Sequence, residues 1–404
     1  MPSWINSKKQ TYIYQPLSNP DDNININTFS NMQALAYNLV KQHFESPRQE
    51  PPLLLIINGF AGTGKSYLIS ALKSLLQQSY TVTATTEKAS FNINGKTIHS
   101  VLNLPVGPRG NKDLKGQSLI RLQDRLCHIK YILIDEYSML GQTSLGWIDK
   151  RCRQATGQQD EIFGGKSITL VGDPAQLPPV ADKPLYHTKP SGPIGEQGHV
   201  AYLMFDKVIR LSVNQRVQGS DTTQVAFKQL LMRLRTGDST EEDWRLLLSH
   251  QPSLVANLNE FDDAIKLFYG NDEVAEYNHQ QLLKLSRPVA CIQARHSSST
   301  AKSLPSDEMS GLVPILFLAR QASVMLTMNL WPEVGLCNGA TGKVVDLIFA
   351  ENHWPPDLPI AVMVKFDHYA GPSFTELLPN VSQCALSLLN LIYLILFMKD
   401  SNYH

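Results

Sequence analysis

Six short runs rich in apolar residues punctuate the chain, each closing on a polar or glycine-rich turn. They are LLLIINGF (53–60), YTVTATT (80–86), YILIDE (131–136), SITLVGD (167–173), KVIRLS (207–212) and AIKLFYG (264–270). Most are continuous rather than alternating, the pattern of a strand buried on both faces. Stretches with apolar residues at helical spacing separate several of them. NMQALAYNLVKQHF places Met32, Leu35, Ala36, Leu39 and Val40 on one face before the first run, and SYLISALKSLLQQ follows it. Strands alternating with helices predict an α/β fold with a parallel sheet covered on both sides. Ligands of such sheets bind at the carboxyl ends of the strands. After about residue 320 the texture changes. ASVMLTMNL, ATGKVVDLIF and IAVMVKF read as strands divided by Gly and Pro turns, a smaller β-rich unit.

The two ends of the chain depart from this pattern. Residues 1–28 are polar, carry a Pro-Asp-Asp turn, and predict a loose arm. The stretch CALSLLNLIYLILFMKD (384–400) is the most apolar of all. It is shorter than the roughly 20 residues of a spanning helix and contains Ser387 and Asn390, so no membrane association is expected.

Composition adds limits rather than direction. With 404 residues, 43% hydrophobic and 18% charged, the chain has room for two or three domains. Thirty-six basic and 36 acidic residues balance, so no polyanionic partner is announced by net charge. Locally, Lys96, Arg109, Lys112, Lys115, Arg121, Arg125 and Lys130 face only Asp113 and Asp124. That segment is either a solvated face or a phosphate-contacting patch. The five cysteines are scattered without C-x-x-C spacing, which argues against a zinc ribbon and a disulfide framework and suits a reducing compartment. No secretory signal or typical transit peptide is evident.

The chemistry lies where the apolar runs stop. GFAGTGKS (59–66) fits G-x-x-x-x-G-K-[ST] between a strand and a helix, the setting of a P-loop. Its backbone N–H groups, across Gly59, Phe60, Ala61, Gly62, Thr63 and Gly64, would turn inward around a phosphate at a helix N-terminus. Lys65 would reach the β- and γ-phosphates of ATP, and Ser66 would ligate Mg²⁺. YILIDEYS supplies Asp135 for the metal and Glu136 to polarise the attacking water. A GTPase would carry D-x-x-G there and N-K-x-D for guanine; Asp135 is followed by Glu-Tyr-Ser, and NKDL (111–114) misplaces its aspartate. The third strand end, VGDPAQLPPV (171–180), holds Gln176 on a loop stiffened by Pro174, Pro178 and Pro179. A side-chain amide on a rigid loop beside the phosphates can sense the γ-phosphate and relay its presence, as a motor requires.

In order, GFAGTGKS, TATTEKASFNINGKTIHS, ILIDEYSML, LVGDPAQLPPV, LSVNQR and VMLTMNLWPEVGLCNGATG resemble the superfamily-one DNA helicases that move 5′ to 3′. The likeness is to the petite-integration-frequency group and its Helitron-transposon relatives, and runs from about Gln33 to Pro372. It implies that Gln33 reads adenine and that Arg216 reaches the γ-phosphate as a finger in cis. It also implies that Thr97, His99, Ser100 and Asn329 contact single-stranded DNA, with the basic segment leaning towards phosphates.

The implied organisation is a RecA-like motor domain over 29–210 and a partial second RecA-like domain over 211–319. A small β-barrel-like insertion follows over 320–372, then an apolar tail outside the family over 373–404. The family's HKSQG-like segment and final arginine motif have no counterpart, so a second reading is a truncated, nucleotide- and DNA-binding remnant without helicase activity. On that reading the tail has no designed partner, as after a frameshift or retained intron. A plain P-loop NTPase or kinase is disfavoured by the motifs after DEYS. The resemblance implies ATP and Mg²⁺ as cofactors, single-stranded DNA and duplex junctions as partners, a monomer, and a nuclear rather than mitochondrial place. It points to repair, recombination, telomere maintenance or transposition.

Overall fold

The computed structural model describes residues 24–46, 50–105, 113–215, 222–251, 253–255, 265–293, 315–355, 357–372, 383–387 and 394–396. They fall into two compact units, one ending at Trp244 and one beginning at Arg245.

The first unit is built on strands β1 (Leu54–Gly59), β2 (Tyr80–Ala84), β3 (Lys96–Thr97), β4 (Tyr131–Asp135), β5 (Ser167–Gly172) and β6 (Lys207–Leu211). Their order is β3-β2-β4-β5-β1-β6, and every pairing is parallel. Five of the six apolar runs thus become strands of one sheet. The sixth does not. Residue 264 lies outside the described residues, 265–270 are irregular, and Leu267 is 90% exposed. An apolar run becomes a strand only where a neighbour takes its N–H and C=O groups. β3 is too short to carry any periodicity and was not legible in advance.

Helices α1 (Asn31–Glu45), α2 (Lys65–Leu76), α3 (Glu87–Asn92), α4 (Ile98–Leu102), α5 (Gln117–Leu126), α6 (Gln142–Thr156) and α7 (Gly192–Leu203) cover the sheet. Leu55 and Ile57 of β1 pack with Ala36 and Val40 of α1 and Leu68 and Leu72 of α2. Leu54 and Ile56 pack in the opposite layer, with Ile98 of α4, Leu122 of α5 and Leu145 and Ile148 of α6. Each fully buried Leu or Ile contributes about 1.5–3 kcal/mol, so both faces of β1 must be apolar. Helices α8 (Thr222–Thr236) and α9 (Glu241–Leu248) follow β6, and the first unit ends within α9. Residues 1–23 of the expected arm lie outside the described residues. Its end is anchored, since Ile26–Thr28 form a 3₁₀ turn and the Asn25 N–H donates to the Tyr67 hydroxyl at 2.9 Å.

The second unit contains α10 (Asn271–Lys284), an antiparallel pair β7 (Val289–Gln293) and β8 (Ile315–Ala319), and a five-stranded antiparallel sheet. That sheet comprises β9 (Ser323–Leu326), β10 (Thr341–Ile348), β11 (Ala361–Phe366), β12 (Gln383–Ser387) and β13 (Leu394–Leu396), in the order β12-β11-β10-β9-β13. Leu318, Val324, Leu326, Trp331, Val344 and Val364 share its core. The three strands expected after residue 320 are β9, β10 and β11. Part of the tail expected to lack a partner supplies β12 and β13, which pair with β11 and β9. None of the described helices is long and apolar enough to cross a membrane.

Candidate active site

β1 ends at Gly59 and α2 begins at Lys65, so the intervening loop turns through Gly62 (φ +83°) and Gly64 (φ +78°). Lys65 folds back over this loop, its Nζ donating to the Gly59 carbonyl at 2.9 Å and the Phe60 carbonyl at 3.3 Å. The Thr63 hydroxyl also donates to the Phe60 carbonyl, at 2.9 Å. Ala61 and Ser66 are exposed. Gln33 braces the loop from α1. Its amide nitrogen donates to the Thr63 and Gly64 carbonyls at 3.4 and 3.3 Å, and its oxygen accepts from the Ser30 N–H and hydroxyl at 2.9 and 3.0 Å. A carboxamide has two donors and two acceptor sites, so Gln33, 2% exposed, is fully committed here. Gly64 is left-handed, and a β-carbon on it would meet the Gln33 amide nitrogen at 2.4 Å. Gly64→Ala is therefore expected to destabilise the protein by about 1–2 kcal/mol from backbone strain alone, before the clash is counted. An unchanged melting temperature would contradict this. The Gln215 N–H donates to the Gly62 carbonyl at 2.7 Å, returning the chain after β6 to the P-loop. Arg216, the next residue, lies outside the described residues.

The sheet order sets β5 between β1 and β4, so three strand ends line up. Asp135 closes β4, is 6% exposed, and accepts from the Glu136 N–H at 2.9 Å. Burial pushes its carboxyl up to about 6; the Glu136 N–H lowers it, the Glu136 charge adds to the rise, and Lys65 opposes it. Glu136 sits at φ +53°, ψ +44°, a left-handed conformation that costs a non-glycine residue about 1 kcal/mol or more. The Thr85 hydroxyl donates to its carbonyl at 3.2 Å and holds the turn. Next, the Tyr137 hydroxyl donates to Asn58 Oδ1 at 2.6 Å, tying the turn after β4 to β1. Tyr137 crosses β5 at Gly172, where a β-carbon would come within 2.9 Å of its ring. Burial raises the Tyr137 pKa, which keeps it a donor.

β5 delivers Asp173, 2% exposed, and then the proline loop with Gln176. Asp173 is clasped by Arg235 of α8: Nη1 donates to Oδ2 at 2.5 Å and Nη2 contacts Oδ1. Its carboxylate also accepts from the Ala175 N–H at 3.2 Å and from Gln176 Nε2 at 3.5 Å. Burial works to raise this carboxyl, but the Arg235 hydrogen bond, the Ala175 N–H and the guanidinium charge together hold it below the ordinary range. Arg235 was not legible in the sequence. Its only signal is indirect: a buried aspartate at a strand end needs a counter-charge.

Three of the four nucleic-acid candidates, Thr97, His99 and Ser100, follow the carboxyl end of the same sheet. β3 pairs with the carboxyl end of β2, four strand spacings or roughly 19 Å from β1. Thr97 is 7% exposed and caps α4, its oxygen accepting from the Ser100 N–H at 3.4 Å while lying 3.1 Å from the Ser100 hydroxyl. His99 is half-buried, and burial lowers its pKa, so its ring is neutral at pH 7. Ser100 is exposed. Arg125 of α5 donates to the Ser100 and Val101 carbonyls at 2.8 and 2.5 Å and so fixes α4.

Among the described residues the basic segment does not form one patch. Arg109 and Lys112 lie outside the described residues, and Arg125 is committed to carbonyls. Lys130 precedes β4, at the opposite end of a five-residue strand from Asp135, roughly 16 Å away. Lys96 alone of the seven lies on β3 beside Thr97. Asn329 belongs to the second unit, where it is exposed and its side-chain oxygen accepts from the Asn338 N–H at 2.9 Å.

A parallel sheet with a glycine loop between β1 and α2, and carboxylates at the adjacent strand ends, defines a RecA-like domain of the P-loop class. The chain belongs to the PIF1-like helicase family, whose profile matches residues 28–245. It is 30% identical over 323 residues to the ATP-dependent DNA helicase PIF1 of Saccharomyces cerevisiae strain YJM789, covering 74% of this chain and 34% of the yeast protein. It is 28% identical over 313 residues to the ATP-dependent DNA helicase Pif1 of Bdellovibrio bacteriovorus, covering 75% of this chain and 67% of that protein. The Pif1 helicase structure from Candida albicans shares the fold with a TM-score of 0.60 at 21% identity, over 91% of this chain and 84% of that one. Bacteroides Pif1 bound to single-stranded DNA gives 0.56 at 20%, over 89% and 78%. The matched part spans 34% of the yeast relative and 44% of the Danio rerio PIF1, about a third to under half of their length.

Proposed function

We propose that this chain is an ATP-dependent DNA helicase, hydrolysing ATP to move 5′ to 3′ on single-stranded DNA and open duplex junctions. The observation that carries the reading is the alignment of three strand ends, with Lys65 after β1, Asp135 and Glu136 at β4, and Asp173 with Gln176 after β5. The family supports it, since curated relatives are named ATP-dependent DNA helicases. A Bacteroides Pif1 of the same fold was solved with ADP-AlF3 and single-stranded DNA.

In this mechanism Lys65 exchanges its two loop carbonyls for β- and γ-phosphate oxygens, and the loop N–H groups hold the rest of the triphosphate. Glu136 orients the attacking water and accepts its proton. Gln176, exposed and only 3.5 Å from Asp173 Oδ2, is free to turn to the γ-phosphate. Arg216 supplies charge to the same phosphate. The donor set suits Mg²⁺, a hard cation that takes one or two carboxylates and completes its shell with phosphates and water. Asp135 offers a buried carboxylate with Oδ1 on the Glu136 N–H, Ser66 offers a hydroxyl, and the described residues hold no cluster of three or more His, Cys, Asp or Glu. When bound, Mg²⁺ would neutralise charge developing on the phosphates. Single-strand-stimulated ATP turnover by the purified chain tests the reading; ATP and DNA binding without turnover would overturn it.

The DNA face leads to a separable expectation. Neutral His99 acts by stacking or hydrogen bonding, whereas Lys96 acts by charge. Lys96→Ala should reduce the log–log salt slope of single-strand binding by about 0.7. His99→Ala should weaken binding by about 1–3 kcal/mol, with the slope unchanged. Fluorescence anisotropy across a salt series separates the two, and a lowered slope in His99→Ala would reverse the assignment.

A further inference from the structure

Arg233 and Arg235 lie two positions apart on α8, so they leave the helix about 200° apart. Each clasps a buried aspartate. Arg235 holds Asp173 at the end of β5, and Arg233 holds Asp243 in the first turn of α9 through Nε at 2.7 Å and Nη2 at 2.6 Å. Asp243, 5% exposed, also accepts from the Thr240 N–H at 3.0 Å. Two-point contacts of this kind fix orientation as well as distance. What distinguishes Asp173 from a buried ion-pair partner of no further consequence is its remaining bonds. The same carboxylate takes the Ala175 N–H and the Gln176 amide, so it sets both the backbone and the side chain of the loop assigned above to the γ-phosphate. The Gln176 contact is the longest of them and is the one ready to exchange.

We propose that Arg235 is a positioning residue that anchors the Asp173–Gln176 loop, so that Gln176 waits on Asp173 until nucleotide draws it off. With Arg233 and Asp243, α8 is then a strut between the end of β5 and α9. This rests on the ATPase reading above only for its effect on turnover; the anchoring itself does not need it.

Hydrogen exchange of the nucleotide-free protein reads the anchoring directly. Arg235→Gln is expected to speed exchange in the 173–180 loop by about tenfold, with the amides of β1 unchanged. Arg235→Lys keeps the charge without the fork and should lie between the two. The second readout is a split between affinity and rate. Arg235→Gln should bind a fluorescent ATP analogue as the wild type does, while its single-strand-stimulated kcat falls by roughly tenfold to a hundredfold. The Asp173→Asn/Arg235→Gln double variant should lose no more than the worse single variant. Wild-type exchange at 173–180 in Arg235→Gln, or multiplicative losses in the double variant, overturns the proposal. If the wild type itself turns over no ATP, the ATPase reading fails while the exchange result still decides the role of Arg235. Should Arg235→Gln not fold, Arg235→Lys carries both measurements, and wild-type exchange in it would be the refuting result.

Discussion

Replacing Lys65 with alanine is expected to lower ATP turnover by about two to three orders of magnitude, the scale on which removing one preorganised charge-stabilising donor acts. The geometry places its charge directly over the glycine loop. Lys65 Nζ sits 2.9 Å from the Gly59 carbonyl and 3.3 Å from that of Phe60, inside the turn through which phosphates would thread. Two described cations along this edge are engaged by protein groups, Arg235 by Asp173 and Arg125 by the α4 carbonyls, and Lys96 lies on β3, four strand spacings from β1. Gly62 and Gly64 keep their left-handed turns without the lysine, so the loop itself should persist in the variant. Steady-state turnover and calorimetry with Mg·ATP provide the measurement. Equal affinity and equal turnover in Lys65→Ala would remove the P-loop from the mechanism.

The second large effect has opposite signs for stability and activity. Asp135→Asn is expected to abolish Mg²⁺-supported turnover while stabilising the nucleotide-free protein at pH 8. Burial raises the Asp135 carboxyl to about 6, well above the ordinary aspartate value, so the fold disfavours its charged form. A group whose folded-state pKa is raised contributes stability that is fully present below the unfolded value and lost as pH rises through the folded value. Asp135 therefore withdraws its contribution between about pH 4 and 6, by about 3 kcal/mol. Asparagine keeps an oxygen for the Glu136 N–H and carries no charge, so it escapes that loss. Thermal unfolding at pH 4 and pH 8, without nucleotide, measures the difference. A variant no more stable than wild type at pH 8 would show that the carboxylate is better compensated than its burial indicates.

Legibility tracked how local each feature was. The P-loop, the Asp135–Glu136 pair and the Gln176 loop are contiguous segments at strand ends, and their residue types state a chemistry before any contact is known. The roles of single residues were less legible. Gln33 was linked to adenine, yet both ends of its carboxamide are engaged by Ser30 and the P-loop carbonyls. Thr97 was expected to face nucleic acid, and the structure finds it buried as a helix cap. Seven basic residues close in sequence leave a solvated face and a phosphate-contacting patch both open, and a parallel strand carries Lys130 to the far end of the sheet. Residues 265–270 of the last apolar run are irregular, whereas part of the apolar tail pairs with β11 and β9.

By itself, then, the sequence determined the strand–helix alternation, the parallel sheet and the three motifs that end its strands. Period and turn chemistry act over a few residues, and buried parallel strands must be apolar on both faces. Only the tertiary structure decided which strand ends are neighbours, with β5 between β4 and β1, and which distant side chains meet. Tyr137 with Asn58, Gln33 with Gly64 and Arg235 with Asp173 are separated by 79, 31 and 62 positions. No local propensity encodes such pairs. They arise because burying Asp173 and the P-loop carbonyls leaves polar groups that the folded chain must satisfy from wherever packing brings a partner.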